Sequence, residues 1–463
     1  MTKSLFDGFN PVSAKAWKQK IQLDLKGADY NDTLIWKSLE GIDVKPFYNS
    51  EDSDSIAHDI VSPKSWNICE TIYVHNEINA NKKAHYAISK GTECLNFIIP
   101  NSDISIQNIL KDIDLTSTLI NFNLEFLDAN YINQNITNLI NNQVQVNTDI
   151  IGNLVKTGNW YVNLKDDYKH FESIVKCTKS FSINLSTYQN AGANIVQQLA
   201  YTLAHTNEYL NHINNSESLK AIFTKNNAEK LNVSFNVSIG TNYFFEIAKL
   251  RALRLLFKSL VSDYGFNADC HIIATPSKRN KTLYDYNVNM LRTTTECMSA
   301  ILGGANTISN LAYDSIYHKN NEFGSRISRN QLLLLKHESY FNQVTNATDG
   351  SYYIESLTQQ LSENALDLFK TIEAKGGFVT QIFDGTIQRK IKESAKKEQN
   401  LFDINEEVLL GTNIHPNEND KMQHELELYP FVKTNIRKTL IEPIIEKRLS
   451  ETIEKERLEN EKN

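Results

Sequence analysis

The sequence predicts an α/β fold, a (β/α)8 TIM barrel with an N-terminal arm and a C-terminal linker plus amphipathic helix. The first observation is that strand-like and helix-like segments alternate from Trp66 onward. The second is their number, about seven or eight βα units, which suits a (β/α)8 barrel and leaves a doubly wound sheet as the alternative. In either fold, functional groups belong at the carboxyl ends of the strands.

The predicted strands are short apolar runs, and most are followed by a longer segment with helical periodicity. Between Phe244 and Val261, apolar residues recur at helical spacing, which is typical of a helix packed on the barrel. The run from Arg326 to Phe341 contains "LLLL" and suits a buried outer helix. The predicted strands lie in NICETIYV, CLNFII, LINFNLEF, FSINLS, KLNVSFNVS, DCHIIATP and NTISNL.

The two ends of the chain have a different pattern from the barrel, which we place at residues 55–400. Residues 1–54 are polar with scattered aromatic residues, which indicates an arm that packs on a partner through isolated anchors. Residues 401–463 begin as a linker rich in Asn, Asp and Glu. From Leu440 to Glu459, apolar residues at four-residue spacing predict an amphipathic helix that docks on a neighbour.

Composition excludes several classes of protein. The net charge of −7 argues against nucleic acid or an anionic membrane as the main partner. The N-terminal "MTKSLFDGFNP" has no apolar signal region, and no run approaches the roughly 20 apolar residues of a membrane span. The 5 cysteines form no CxxC pair, so neither a disulfide framework nor a zinc site is indicated. We expect a cytoplasmic protein.

Residue patterns alone reveal no catalytic set. The 11 histidines form no HExxH or HxH motif, and His75 and His271 at strand ends are interpreted as ordinary structural residues. The pairs Gly303–Gly304 and Gly376–Gly377 favour turns at helix ends over phosphate binding. A GxSxG nucleophile motif is absent from the sequence. These patterns predict a soluble barrel with extensions and go no further.

The sequence contains five long segments that share one pattern of similarity: NAGANIVQQLAYTLA, FFEIAKLRALRLLF, DYNVNMLRTTTECMSAILGGANTI, SRISRNQLLLLKHES and DGSYYIESLTQQLSENALDLFKTIEAKGG. Together they resemble the adenosylcobalamin-dependent methylmalonyl-CoA mutase family. They occur in the family's order over residues 180–415, with weaker similarity toward the N-terminus. The resemblance implies a barrel that holds acyl-CoA along its axis, with a separate C-terminal domain for cobalamin.

The sequence departs from this family at its catalytic motifs. In "INLSTYQNAGA", alignment on AGA places Ser186 and Thr187 where catalytic members have the Tyr and His of YHxQEAGA. The resemblance assigns that histidine to the substrate thioester carbonyl, and a threonine hydroxyl cannot replace a cationic donor there. The segments "ETIYVHNEINANKK" and "IIGNLVKTGNWYVNL" stand where the family has its substrate tyrosine and the loop leading to its carboxylate-binding arginine. The cobalt-ligating DxHxxG motif is absent.

These departures resemble the small (beta) subunit of the family's heterodimeric bacterial members. The resemblance implies a chain with no catalytic, cofactor-binding or metal-binding residues and no cobalamin domain. It further implies a large (alpha) subunit as partner, which carries adenosylcobalamin. One alternative is a catalytic acyl-CoA mutase barrel served by a separate cobalamin protein. A second is a module that binds CoA without radical chemistry.

Overall fold

Eight parallel strands form the centre of the protein in a computed structural model. It describes residues 7–10, 12–52, 60, 62–139, 143–225, 227, 229–433 and 436–461. The strands are β3 (Asn67–Tyr73), β4 (Cys94–Ile99), β5 (Leu119–Leu124), β6 (Val144–Asn147), β7 (Ser180–Asn184), β8 (Leu231–Ile239), β9 (Ala268–Pro276) and β10 (Thr307–Ser309). The sheet order is β6-β5-β4-β3-β10-β9-β8-β7, and the backbone N–H of Ser182 in β7 donates to the carbonyl of Thr148, the residue after β6, at 3.0 Å. The predicted (β/α)8 barrel is therefore confirmed.

Helices surround this barrel and are longer on one side than on the other. The largest apolar core packs β7, β8 and β9 against long helices, whereas a smaller core covers β3 to β6. The barrel helices are α3 (Glu77–Ser89), α4 (Ile106–Ile109), α5 (Ala129–Asn135), α6 (Ile150–Thr157), α7 (Leu164–Thr178), α8 (Ser186–Asn190), α9 (Ile195–Asn215), α10 (Glu217–Phe223), α11 (Tyr243–Tyr264), α12 (Val288–Leu302) and α13 (Glu322–His337). After the barrel come α14 (Tyr352–Ala374), α15 (Gly377–Phe383), α16 (Thr386–Asp403) and α17 (Glu451–Asn460).

The inner wall of the barrel is polar. Alternate residues of a strand face opposite sides of the sheet, and the outward set is buried in the two apolar cores. The inward set forms a hydrogen-bonded chain across five strands, with the Oγ atoms of Thr71 and Ser309 3.0 Å apart. Asn96 donates to Thr71, Asn123 to Asn96, and Asn147 to Asn123, at 3.2, 2.8 and 2.6 Å. Bulky branched residues usually fill a TIM barrel, so this interior is unusual.

The N-terminal arm packs on the chain's own barrel. Its elements are α1 (Ala14–Asp24), α2 (Tyr30–Leu34), β1 (Trp36–Lys37) and β2 (Asp43–Val44), and the two strands pair antiparallel as a hairpin. The Trp36 ring meets the Phe245 ring edge-on at 5.8 Å between centroids. Residues 1–6, 11 and 53–54 of the predicted arm lie outside the described residues. Packing of the arm on a partner stays a prediction.

The C-terminal region differs from the sequence prediction in two ways. The helix predicted from Leu440 begins only at Glu451, because residues 440–450 are irregular and several of their backbone N–H groups donate to the barrel. We call residues 440–450 the strap. The predicted linker is also not a free tether, since Leu409, Met422 and Phe431 are buried against neighbouring segments.

The strap crosses the carboxyl-end face of the barrel. The backbone N–H groups of Leu440 and Ile441 both donate to the carbonyl of Gly158, which ends α6, at 2.9 and 3.2 Å. Further along, Lys447 donates to the Asn190 carbonyl at 3.0 Å and Leu449 to the Arg279 carbonyl at 2.8 Å. The strap therefore ties the connections after β6, β7 and β9 together.

Candidate functional site at the barrel rim

The two residues that the sequence analysis singled out, Ser186 and Thr187, lie just beyond the carboxyl end of β7. Ser186 and Thr187 begin α8, directly after β7, and therefore lie at the carboxyl-end rim. Ser186 Oγ donates to the Asn236 carbonyl at 3.3 Å, and Thr187 is 2% exposed. Both side chains are neutral hydroxyls. Neither can supply the positive charge that an imidazolium would place beside a substrate carbonyl.

Gly192 fixes how the rim continues into α9. Its φ is +98°, a conformation that glycine adopts without strain. A Cβ at this position would lie 2.5 Å from the Ala395 Cβ of α16 and 3.0 Å from Cζ of Arg279. The glycine therefore allows α16 to approach the rim closely.

A buried lysine lies beneath the rim, and its charge is neutralised inside the chain. Lys249 forms an ion pair with Glu246 one turn earlier on α11. Its Nζ also donates to Gln189, Gln198 and the Ser238 carbonyl at 3.0, 3.2 and 2.7 Å. Burial lowers the pKa of Lys249, and Glu246 opposes that shift. The network joins α8, α9, α11 and the end of β8, which is a structural role.

Two further ion pairs hold the loop after β9. Lys281 Nζ lies 2.8 Å from Glu296 of α12, and both side chains are 1% exposed. Burial raises the pKa of Glu296, although Lys281 opposes the shift. Arg279 lies 2.6 Å from Glu398 of α16. In these three rim pairs (Lys249–Glu246, Lys281–Glu296 and Arg279–Glu398), a carboxylate of the same chain neutralises each cation.

A buried His–Asp–Tyr cluster behind the rim was missed by the sequence analysis. His205 Nε2 lies 2.9 Å from Asp149 Oδ1, and the Tyr188 hydroxyl lies 3.0 Å from His205 Nδ1. Burial raises the pKa of Asp149, but His205 and the hydrogen bond from Tyr209 outweigh it, so the net shift is downward. His205 is 0% exposed and stacks on Phe378 at 5.3 Å. A substrate cannot reach it, so the cluster is structural. No local motif could have revealed it, because its residues come from different elements.

The arm hairpin closes a cavity of about 390 Å³ beside the rim. Glu40 accepts a hydrogen bond from Val196 N at 3.2 Å, at the start of α9. Burial raises the pKa of Glu40 to about 7, and its hydrogen bonds to the helix N-terminus oppose part of that shift. Asn194 Nδ2 donates to the Leu39 carbonyl at 3.0 Å. The hairpin is thus fixed at the N-terminus of α9.

The two histidines that the sequence placed at strand ends lie at opposite ends of the barrel. His75 follows β3 and is exposed against the Tyr73 ring. His271 lies near the start of β9, 3.0 Å from Thr307 Oγ1, where burial lowers its pKa to about 4. Across the described ranges, no cluster of three His, Cys, Asp or Glu residues could hold a metal ion. The same ranges contain no helix with the length and apolar character needed to cross a bilayer.

These features define a (β/α)8 barrel protein with a polar axis and a rim fixed by internal ion pairs. The family model for methylmalonyl-CoA mutase matches residues 101–460. The chain is 33% identical over 450 residues to the methylmalonyl-CoA mutase small subunit of Porphyromonas gingivalis, covering 90% of this chain and 71% of that one. The chain belongs to the methylmalonyl-CoA mutase family.

Two other relatives help to place the chain within this family. A methylmalonyl-CoA mutase of Cereibacter sphaeroides is 28% identical over 464 residues, covering 86% of this chain and 64% of that protein. The methylmalonyl-CoA mutase large subunit of Porphyromonas gingivalis is 33% identical over 239 residues, which is 50% of this chain and 32% of that subunit. The chain is therefore a homologue of the small subunit and is similar to the large subunit over a shorter stretch.

Proposed function

We propose that the chain is the small, non-catalytic subunit of a heterodimeric, adenosylcobalamin-dependent methylmalonyl-CoA mutase. In the complex, the large subunit binds adenosylcobalamin and interconverts methylmalonyl-CoA and succinyl-CoA. The observation that carries this proposal is the rim at Thr187. A buried neutral hydroxyl lies at the position that the resemblance assigns to the family histidine, and the neighbouring charges form pairs with each other.

The names of the relatives support a two-chain enzyme. Porphyromonas gingivalis has proteins named as the small and the large subunit of methylmalonyl-CoA mutase, and this chain is similar to both. Its similarity to the small subunit extends over 90% of this chain, against 50% for the large one. The exposed aromatic and apolar residues of the arm, Phe9, Trp17 and Leu23, offer a surface to such a partner.

Co-expression with the large subunit of the same organism tests the assembly. We expect the two chains to co-purify and to elute together as a stable complex. Trp17→Ala, which removes an exposed ring that is 51% accessible, should weaken that complex. Tyr340→Ala is the control, because Tyr340 is 67% exposed and lies outside the arm, after α13. Failure of the wild-type chains to associate would contradict the proposal.

A second function, binding of a CoA ester without radical chemistry, is favoured by the inner wall of the barrel. The inward residues Thr71, Asn96 and Asn123 are partly exposed, although they lie on central strands. A polar, solvent-accessible axis can accept a long chain with amide and hydroxyl groups. Calorimetric titration of the chain with succinyl-CoA distinguishes this function. Saturable binding that Asn96→Leu abolishes would support it, and no heat at millimolar ester would remove it.

A further inference from the structure

A second cavity, of about 300 Å³, lies on the carboxyl-end face where the strap meets the loops after β9 and β10. Its wall carries 5 cationic side chains (Lys278, Arg279, Lys433, Lys447, Arg448) and 2 carboxylates (Glu446, Glu451). This surplus of positive charge is unusual in a chain with a net charge of −7. We call this cavity the strap pocket.

The cations of the strap pocket fall into two groups. Arg279 and Arg448 are buried and form ion pairs with Glu398 and Glu454, so they stabilise the fold. Lys278, Lys433 and Lys447 are exposed. Among the residues that the structure describes, none of these three lysines has a carboxylate within ion-pairing distance. Three unneutralised ammonium groups around one cavity attract an anion with more than one charge.

The two carboxylates of the pocket differ in how far they offset the positive charge of the lysines. Glu451 is 3% exposed, and its oxygens accept hydrogen bonds from the backbone N–H groups of Val432 and Arg448 at 3.1 and 3.0 Å. Its charge is therefore bound to the backbone at the start of α17. Glu446 is the remaining carboxylate of the wall. The three lysines still leave a net positive surface.

An aromatic side chain completes the wall. Tyr429 is 54% exposed and is held by an edge-on contact with Phe431 at 5.5 Å between centroids. Phe431 is itself buried, and Lys455 lies 5.2 Å from its ring centroid. Lys433 Nζ lies 6.0 Å from the Tyr429 ring centroid, so this lysine and the ring are neighbours, and more than half of the ring is still exposed to a ligand. Exposed aromatic rings beside lysines suit the base and the phosphates of a nucleotide.

We propose that the strap pocket binds a phosphate-bearing nucleotide, with Lys278, Lys433 and Lys447 at the phosphates and Tyr429 against the base. The cavity volume is at the lower end for small-molecule sites, which typically begin near about 300 Å³. The proposal does not depend on the subunit assignment, because all its groups belong to this chain. It places a nucleotide on the face where the strap ties the barrel ends together.

Calorimetric titration of the full chain with ADP, adenosine and inorganic phosphate tests the proposal. We expect ADP to bind more tightly than either fragment, and its affinity to fall as salt is raised. The double variant K433Q/K447Q should weaken ADP binding at least about tenfold, since each lost charge contact is of the order of 1 kcal/mol. The variant K396Q/K397Q removes the same charge from exposed positions on α16 and should bind ADP as the wild type does.

A second variant distinguishes the contribution of the base to binding from that of the phosphates. Y429A should weaken ADP binding about five- to tenfold or more, by the stacking energy of one base, and leave inorganic phosphate unaffected. The proposal is overturned if ADP does not bind at about 1 mM, which corresponds to roughly 4 kcal/mol. Equal affinities of the two double-lysine variants, or phosphate binding as tight as that of ADP, would overturn it as well. Because all the substituted side chains are exposed, unchanged circular dichroism should show that the variants fold.

Discussion

Thr187 places a small hydroxyl at the start of α8, where the family resemblance implies a histidine. The side chain is 2% exposed, so it packs beneath the rim. A hydroxyl is neutral at all ordinary pH values and cannot stabilise developing charge as a protonated imidazole does. This difference in residue type is the reason that we propose a non-catalytic role for the chain.

The first prediction concerns this residue. Thr187→Ala should leave the turnover of the assembled mutase essentially unchanged, because no step depends on the hydroxyl. Replacing the large subunit's histidine at the equivalent motif position is the comparison. That change should lower turnover by about 100- to 1,000-fold, the usual effect of removing one oxyanion donor. A large loss of turnover in Thr187→Ala, with the complex intact by gel filtration, would show that Thr187 takes part in catalysis.

The second prediction concerns Glu40 and pH. Its pKa in the folded chain is raised from 4.5 to about 7, so the folded state holds this proton more tightly than the unfolded state. The stability that protonated Glu40 contributes is fully present below about pH 4.5 and is lost as pH rises to about 7. The unfolding free energy of the wild type, relative to that of Glu40→Gln, should therefore fall as pH rises from about 4.5 to about 7. Above this range the difference should no longer change with pH.

Urea unfolding of the two proteins at a series of pH values measures this difference. The effect should be modest, because the Glu40 side chain is only partly buried. Glu51→Gln, at an exposed position of the same arm, controls for the loss of one negative charge. A difference between wild type and Glu40→Gln that does not change with pH would contradict the assigned environment of Glu40.

At the scale of elements, the strap explains why one helix-ending glycine should matter more than another. Gly158 and Gly265 both end helices, α6 and α11, in the left-handed conformation, with φ of +81° and +66°. A Cβ on Gly158 would lie 2.8 Å from the Ile441 carbonyl oxygen of the strap, whereas a Cβ on Gly265 would meet nothing within 4 Å. Only Gly158 is therefore needed for docking of the strap.

The third prediction compares these two glycines. Gly265→Ala should cost about 1–2 kcal/mol of unfolding free energy, the cost of a non-glycine residue in this conformation. Gly158→Ala should cost more, because the strap must also move away from α6. Denaturant unfolding of both variants measures the difference. Equal losses would mean that the contact between the strap and α6 contributes nothing.

Most barrel elements could be predicted from the sequence, and those that could not have physical reasons. Strands such as β8 and β9 are 9 residues long, and β8 shows a clear alternation of apolar and polar residues. In contrast, β6 (Val144–Asn147) has only four residues with two amides, so its pattern did not stand out. The apolar spacing in the strap predicted a helix, but the Gly158, Asn190 and Arg279 carbonyls accept its N–H groups instead. Tertiary hydrogen bonding overrode a local pattern.

At the scale of the whole molecule, the site could be predicted only in part. The position of Ser186 and Thr187 at a strand end followed from the sequence, since β7 and α8 have clear patterns. The rim ion pairs did not, because Arg279 and Glu398 are far apart in the chain and only the closed barrel brings them together. The polar inner wall is also built by several strands together, so it is visible only once the register of the strands is known.

The complete enzyme offers the most direct test of the central claim that this chain assembles with a catalytic subunit and performs no chemistry itself. The measurement is the rate of succinyl-CoA formation from methylmalonyl-CoA with adenosylcobalamin, for this chain alone and for the complex with the large subunit. We predict turnover by the complex and none by this chain alone. Turnover by this chain with a separate cobalamin-binding protein, and without the large subunit, would contradict the account.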